Sequence, residues 1–200
     1  MTPTLPRALA AAALAAAVVA TAVPASATNP YKPGGGPSLR LVADSPGVTF
    51  STVSISTTCT TFTLAGVVEN PGTARAHSVR AGYLSTLTSG GCGTTTITPT
   101  GSWNVVVPGD PTGTVWPMRL TNAAAQAASP GCTFSISGTV VGTFDTATQK
   151  FTATSSTLTT SNVTGVMCPI IDVLPGDDVA VAGTWTNSPP TGSGPLTLGH

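Results

Sequence analysis

Cys132-Thr133-Phe134-Ser135-Ile136-Ser137-Gly138-Thr139-Val140 alternates between an apolar or small residue and a hydroxyl-bearing one. A period of two is the mark of a β-strand with one dry face and one wet face. The pattern returns at Val179, Val181, Gly183 and Trp185, and at Trp116, Met118 and Leu120. Pro117 falls on the polar side of the latter strand; proline has no N–H to give to a ladder, which predicts a sheet edge there. Turn chemistry breaks the chain at short intervals: Ser45-Pro46-Gly47, Asn70-Pro71-Gly72, Pro108-Gly109-Asp110, Pro130-Gly131 and Pro175-Gly176-Asp177. Asp145 to Gln149 reads as a hairpin in which Asp145 bonds its own turn. Only Asn122–Ala128 suggests a helix, of a turn or two. Short strands at this spacing predict an all-β protein: a single antiparallel β-sandwich or barrel-like domain.

Outward from this core, the first residues carry a different signal. Arg7 supplies positive charge, Ala8 to Ala20 is an unbroken apolar run, and Pro24 precedes Ala25-Ser26-Ala27. That order is the one signal peptidase reads. The run is 13 residues long, short of the roughly 20 needed to span a bilayer. Residues 1–27 are therefore expected to be a Sec signal peptide, cleaved after Ala27 to release a secreted protein with no membrane anchor. Residues 28–37, TNPYKPGGGP, read as a flexible Pro/Gly linker, and 38–200 as the β domain. Seven Lys and Arg face seven Asp and Glu in 200 residues. Such a chain lacks the basic footprint of a nucleic-acid binder and a polybasic patch for anionic membranes. Its Thr-, Ser- and Gly-rich surface suits contact with polysaccharide, with an envelope component or with copies of itself.

Cys59, Cys92, Cys132 and Cys168 are an even set in an exported chain, and disulfides are expected. No two lie within four residues of each other, which argues against metal ligation. Three pairings are open. A weak repeat narrows them: Cys59, Phe62, Leu64, Gly66 and Val68 match Cys132, Phe134, Ile136, Gly138 and Val140, and a second cysteine follows at a similar distance in each half. If the halves, about 48–120 and 121–200, are true repeats, the pairs are Cys59 with Cys92 and Cys132 with Cys168.

The search for chemistry returns no catalytic residue, cofactor motif or metal site. His77 is the one histidine away from the terminus, and no Gly-x-Ser-x-Gly elbow exists to pair with it; it reads as surface, and His200 as a disordered end. Asp172, Asp177 and Asp178 cluster without the spacing of a calcium loop, and read as turn residues. Trp116 and Trp185 share phase with aliphatic neighbours and are expected in the core. Trp103, between Ser102 and Asn104, and Tyr83 are the candidates for exposed rings that stack on sugars.

Cys132 to Trp185, with Gly138, the Phe144-Asp145 to Lys150-Phe151 hairpin, Ser161-Asn162-Val163-Thr164-Gly165 and Cys168, resembles a family of uncharacterised small secreted β-rich proteins of actinomycetes. The first half, with Cys59, Gly66 and Cys92, resembles the alkane-oxidation protein activator family. These resemblances imply secretion and a β fold, and carry over no site residue. The expectation for function is a secreted non-enzymatic protein acting by surface or extracellular binding. The alternatives are a secreted hydrolase built on His77, and a small-ligand carrier resembling chromoprotein apoproteins.

Overall fold

The computed structural model describes residues 29–200, all of whose regular structure is β. The expected signal peptide, 1–27, lies outside the described residues. The strands are β1 (Lys32–Gly34), β2 (Ser38–Ala43), β3 (Val48–Ser51), β4 (Ser56–Cys59), β5 (Thr61–Val68), β6 (Arg80–Gly90), β7 (Thr96–Thr100), β8 (Trp103–Val106), β9 (Val115–Ser129), β10 (Cys132–Asp145), β11 (Lys150–Ser156), β12 (Leu158–Thr164), β13 (Asp178–Ala182), β14 (Thr184–Asn187) and β15 (Thr197–Gly199).

Eight of them, β2, β5, β6, β8, β9, β10, β11 and β14, close into an antiparallel barrel in chain order, β14 returning to pair with β2. The outer strands prolong these staves. β3 continues β2, β4 leads into β5, β7 into β8, β12 continues β11, and β13 leads into β14. At a stave break, Thr157 still donates its N–H to the Thr139 carbonyl. β9 and β10 run the whole length, pairing from Cys132 with Ser129 to Asp145 with Val115. The ladder is complete around the half that holds the start of β9. In the other half it is interrupted between β4 and β7, the two edges of the sheet.

Eight strands enclose a lumen just wide enough for side chains to fill, and here they fill it. Trp116, Phe144, Phe151 and Trp185 stand side by side on β9, β10, β11 and β14, and each is at most 3 % exposed. Phe62 joins this row to the rest of the core, its ring 5.4, 6.2 and 6.3 Å from those of Phe50, Trp103 and Trp185. Gly142 makes room for this row: a Cβ there would meet the Phe151 ring at 2.7 Å. Outward positions are mostly Thr, Ser and charged residues, the reverse of a barrel that spans a bilayer.

Asn122–Ala128 is not a helical turn but the second half of β9. Both its edges are claimed, by β7 and by β10, and two ladders outweigh the few tenths of a kcal/mol per residue by which alanine favours a helix. Asn122, at φ 56°, is the extra residue of a bulge where the register slips between Gly138 and Val140. It switches the inward set from Trp116, Met118 and Leu120 to Ala123, Ala125 and Ala127. Pro117 faces Thr143 of β10 at a point past the last β8 pair, Val106 with Arg119, so it takes a local edge inside a closed barrel. The Asp145 turn forms as read, with the Ala147 N–H and the Thr148 hydroxyl donating to its carboxylate at 2.9 and 2.8 Å. The Thr114 side chain foremost, and then these two bonds, hold its pKa below the usual carboxylate range.

The disulfides are Cys59–Cys92 and Cys132–Cys168. They belong to staves four apart, and Gly66 and Gly138 both sit at bulges. The two sequence halves therefore share one closed sheet.

Candidate functional site at the open end of the barrel

The barrel has two ends, closed by different means. At one end, called the cap, the turns 69–79, 107–114 and 146–149 meet both termini of the described chain. β1 and β15 pair into a two-stranded ribbon, Lys32 opposite Gly199, so the expected flexible linker is ordered from Tyr31 to Gly34. Tyr31, 0 % exposed, bridges Arg75 through two backbone hydrogen bonds and donates its hydroxyl to the Val79 carbonyl at 2.7 Å. Burial raises its pKa from 10 to about 12. Gln149 locks the C-terminal segment: its amide donates to the Thr146 and Leu196 carbonyls and accepts from Leu196 N–H and the Asn187 amide. His200 packs on Trp116 at 5.3 Å and is not a loose end.

His77 belongs to this cap and not to the surface. Its side chain is 7 % exposed, stacks on Tyr31 at 5.5 Å and meets Asp110 through Nε2 at 2.9 Å. Nδ1 is buried with no hydrogen-bond partner. A histidine that activates a serine needs one ring nitrogen on the acid and the other on the hydroxyl; here the acid is in place and the second nitrogen carries no hydroxyl.

The sugar-stacking candidates part company. Trp103 is 3 % exposed, and its indole N–H donates to the carbonyls of Thr100 and Ala124 at 3.1 and 3.2 Å. It is a core residue that ties β7 and β8 to β9, which corrects the expectation of an exposed ring. Ala123 and Ala125 line the core space beside its ring. Tyr83 is half-buried, and the Arg80 guanidinium stands 5.4 Å above its ring. Trp116 and Trp185 are in the core as read, so the indoles form no surface strip.

The other end, called the mouth, carries both disulfides and the turns 52–55, 91–95, 130–131 and 165–177. The sequence Gly165-Val-Met-Cys-Pro-Ile-Ile-Asp-Val-Leu-Pro-Gly-Asp177 holds three apolar doublets. Adjacent residues of an irregular loop cannot all face inward, and each doublet splits. Met167, Ile171 and Val173 turn toward the core, leaving Val166 84 %, Ile170 71 % and Leu174 50 % exposed. Across the mouth, Val53 is 88 % exposed. The two turns are joined by the Ser54 hydroxyl donating to Asp172 Oδ2 at 3.1 Å, and the longer one is anchored by Cys132–Cys168 and by Met167 N–H to the Gly131 carbonyl. These are the four most exposed large apolar side chains among the described residues, and all stand at one end. Complete burial of a Val, Leu or Ile side chain is worth about 1.5–3 kcal/mol.

Behind the tips lies a cleft of about 20 Å³ lined by Phe50, Ile55, Ile97, Phe134 and Val179, with Thr52, Thr57, Thr95 and Ser129 beside them. It has room for about one water, against the 300 Å³ or more of an ordinary ligand pocket. The hydroxyls are engaged locally, Thr57 on the Cys92 carbonyl and Thr95 with Ser129 at 2.8 Å each. The aspartates do not converge: Asp172 takes Ser54, Asp177 accepts the Leu174 N–H at 2.7 Å, and Asp178 heads β13. Among the described residues no group of three His, Cys, Asp or Glu side chains is placed to hold a metal.

Charge is divided between the ends. Lys32, Arg40, Arg75, Arg80, Arg119 and Lys150, all the lysines and arginines after Arg7, stand in the cap half, whereas the mouth turns and the start of β13 carry only Asp172, Asp177 and Asp178. Sequence reading missed the mouth because it followed period two; the doublets in 165–177 were the available signal. No protein family, curated protein or solved structure matches this chain.

Proposed function

We propose that the protein is a secreted, non-enzymatic β-barrel that attaches to the envelope or to another extracellular surface through its mouth. The observation that carries the proposal is the gathering of Val53, Val166, Ile170 and Leu174 on two tethered turns. Exposed apolar surface gathered at one place marks an interaction site, and here it is held rigidly by a disulfide, so binding forfeits little chain entropy. Secretion is supported by the two disulfides, which persist in oxidising compartments, and by the N-terminal sequence pattern. Polysaccharide as the partner receives less support, since the three tryptophans are in the core. Retention of the purified protein on an isolated cell-envelope fraction, and its loss in Val53→Ser/Ile170→Ser, is the expected result. Equal retention of both proteins, or of neither, overturns the proposal.

A further inference from the structure

We infer that the surface the mouth meets is the interface of an uncharged, zwitterionic phospholipid layer, into which the four tips dip without the barrel crossing it. The inference rests on the surface-binding reading above. Val53 and Val166, at 88 % and 84 % exposed, stand on turns with little protein around them, and side chains so placed enter a fluid layer where a protein partner would have to offer matching pits. Charge selects the kind of layer. The mouth turns have no lysine or arginine to meet phosphate; Asp172 stands among the tips, between Ile170 and Leu174 and bonded to Ser54, and Asp177 and Asp178 follow at the same end, so an anionic layer repels this end while a zwitterionic one does not. Depth is limited by the wall: immediately behind the tips the outward side chains are hydroxylic, among them Ser56, Thr96, Thr98 and Thr164, which favours shallow interfacial seating over insertion. The expectation that no membrane is involved rested on the lack of a polybasic patch, and apolar tips need none.

The test uses the purified protein with phosphatidylcholine vesicles and with vesicles containing phosphatidylglycerol, in a sedimentation assay at low and high salt. Binding to phosphatidylcholine is expected, with little change between 0.1 and 0.5 M salt, weaker binding to the anionic vesicles, and at least a tenfold loss in Val53→Asp/Ile170→Asp. Both substituted side chains are exposed, and circular dichroism with thermal melting checks that the variant keeps its fold; Lys32→Glu at the cap is the control expected to bind as the parent does. No binding to phosphatidylcholine, or equal binding by the Asp variant, overturns the inference. If the envelope fraction still retains the protein in that case, the surface reading survives and only its lipid identity falls; if neither retains it, both fall. A dimer in solution that the Asp variant abolishes, without vesicle binding, also overturns the inference and makes a second copy the occupant.

Discussion

The cap and the mouth solve the same problem, sealing the end of an eight-stranded barrel, with opposite chemistry. The cap leaves Val79 and Val115 partly exposed but covers its aromatic and polar links: Tyr31 is fully covered, Gln149 is satisfied on both its amide atoms, and the termini pair as β1 and β15. The mouth is stapled by two disulfides and leaves Val53, Val166, Ile170 and Leu174 in water. Covalent closure does not depend on burying the turns it ties, which frees those turns to present apolar side chains outward. The cap is thus the end that holds the fold, and the mouth the end that meets a partner.

The sharpest way to break this contrast is at Tyr31. Tyr31→Ala empties a fully buried aromatic site and is expected to cost about 4 kcal/mol in urea unfolding, with surface binding at the mouth unchanged for the folded fraction. Removing one staple, as Cys132→Ser/Cys168→Ser, opens a loop of 36 residues and is expected to cost up to about 3.8 kcal/mol on loop-closure grounds. It differs from Tyr31→Ala in also weakening surface binding, since it releases the 165–177 turn. Gln149→Ala strips partners from the Leu196 N–H and carbonyl and from Asn187; about 2 kcal/mol of stability is expected to go, with faster amide exchange confined to 188–200.

Alkali separates the ends further. The Tyr31 phenol is neutral in the fold and ionises only near pH 12, against 10 for its ordinary value. The stability tied to its raised pKa is whole below pH 10 and is lost as the pH climbs from 10 to 12. A far-UV transition in that window that Tyr31→Phe removes is the expected result. Smallest in stability is Val53→Ser/Ile170→Ser, within about 0.5 kcal/mol of the parent by thermal melting; a large loss of stability would mean that the tips serve the fold and not a partner.

How much of this was legible in the sequence divides along the same line. Residues 132–140 announce a strand because their two faces differ in every pair, and the spacing of cysteines in the two halves pointed to the pairing found. The cap was hidden because its contacts are distant in sequence: Lys32 finds Gly199, and His77 finds an aspartate 33 residues on. Nothing local in TNPYKPGGGP foretells a strand whose partner is the C-terminal segment. Trp103 misled for a related reason, since the alanines beside its ring lie about 20 residues away and were themselves read as a helix. The mouth tips were legible in principle, because Val166-Met167, Ile170-Ile171 and Val173-Leu174 are doublets that no irregular loop buries whole.

Amide hydrogen exchange with and without bound envelope material tests the division of labour most directly. Slowed exchange confined to 52–55 and 165–177, with 29–37 and 188–200 unchanged, is the predicted result. Protection at the cap with none at the mouth would contradict the account.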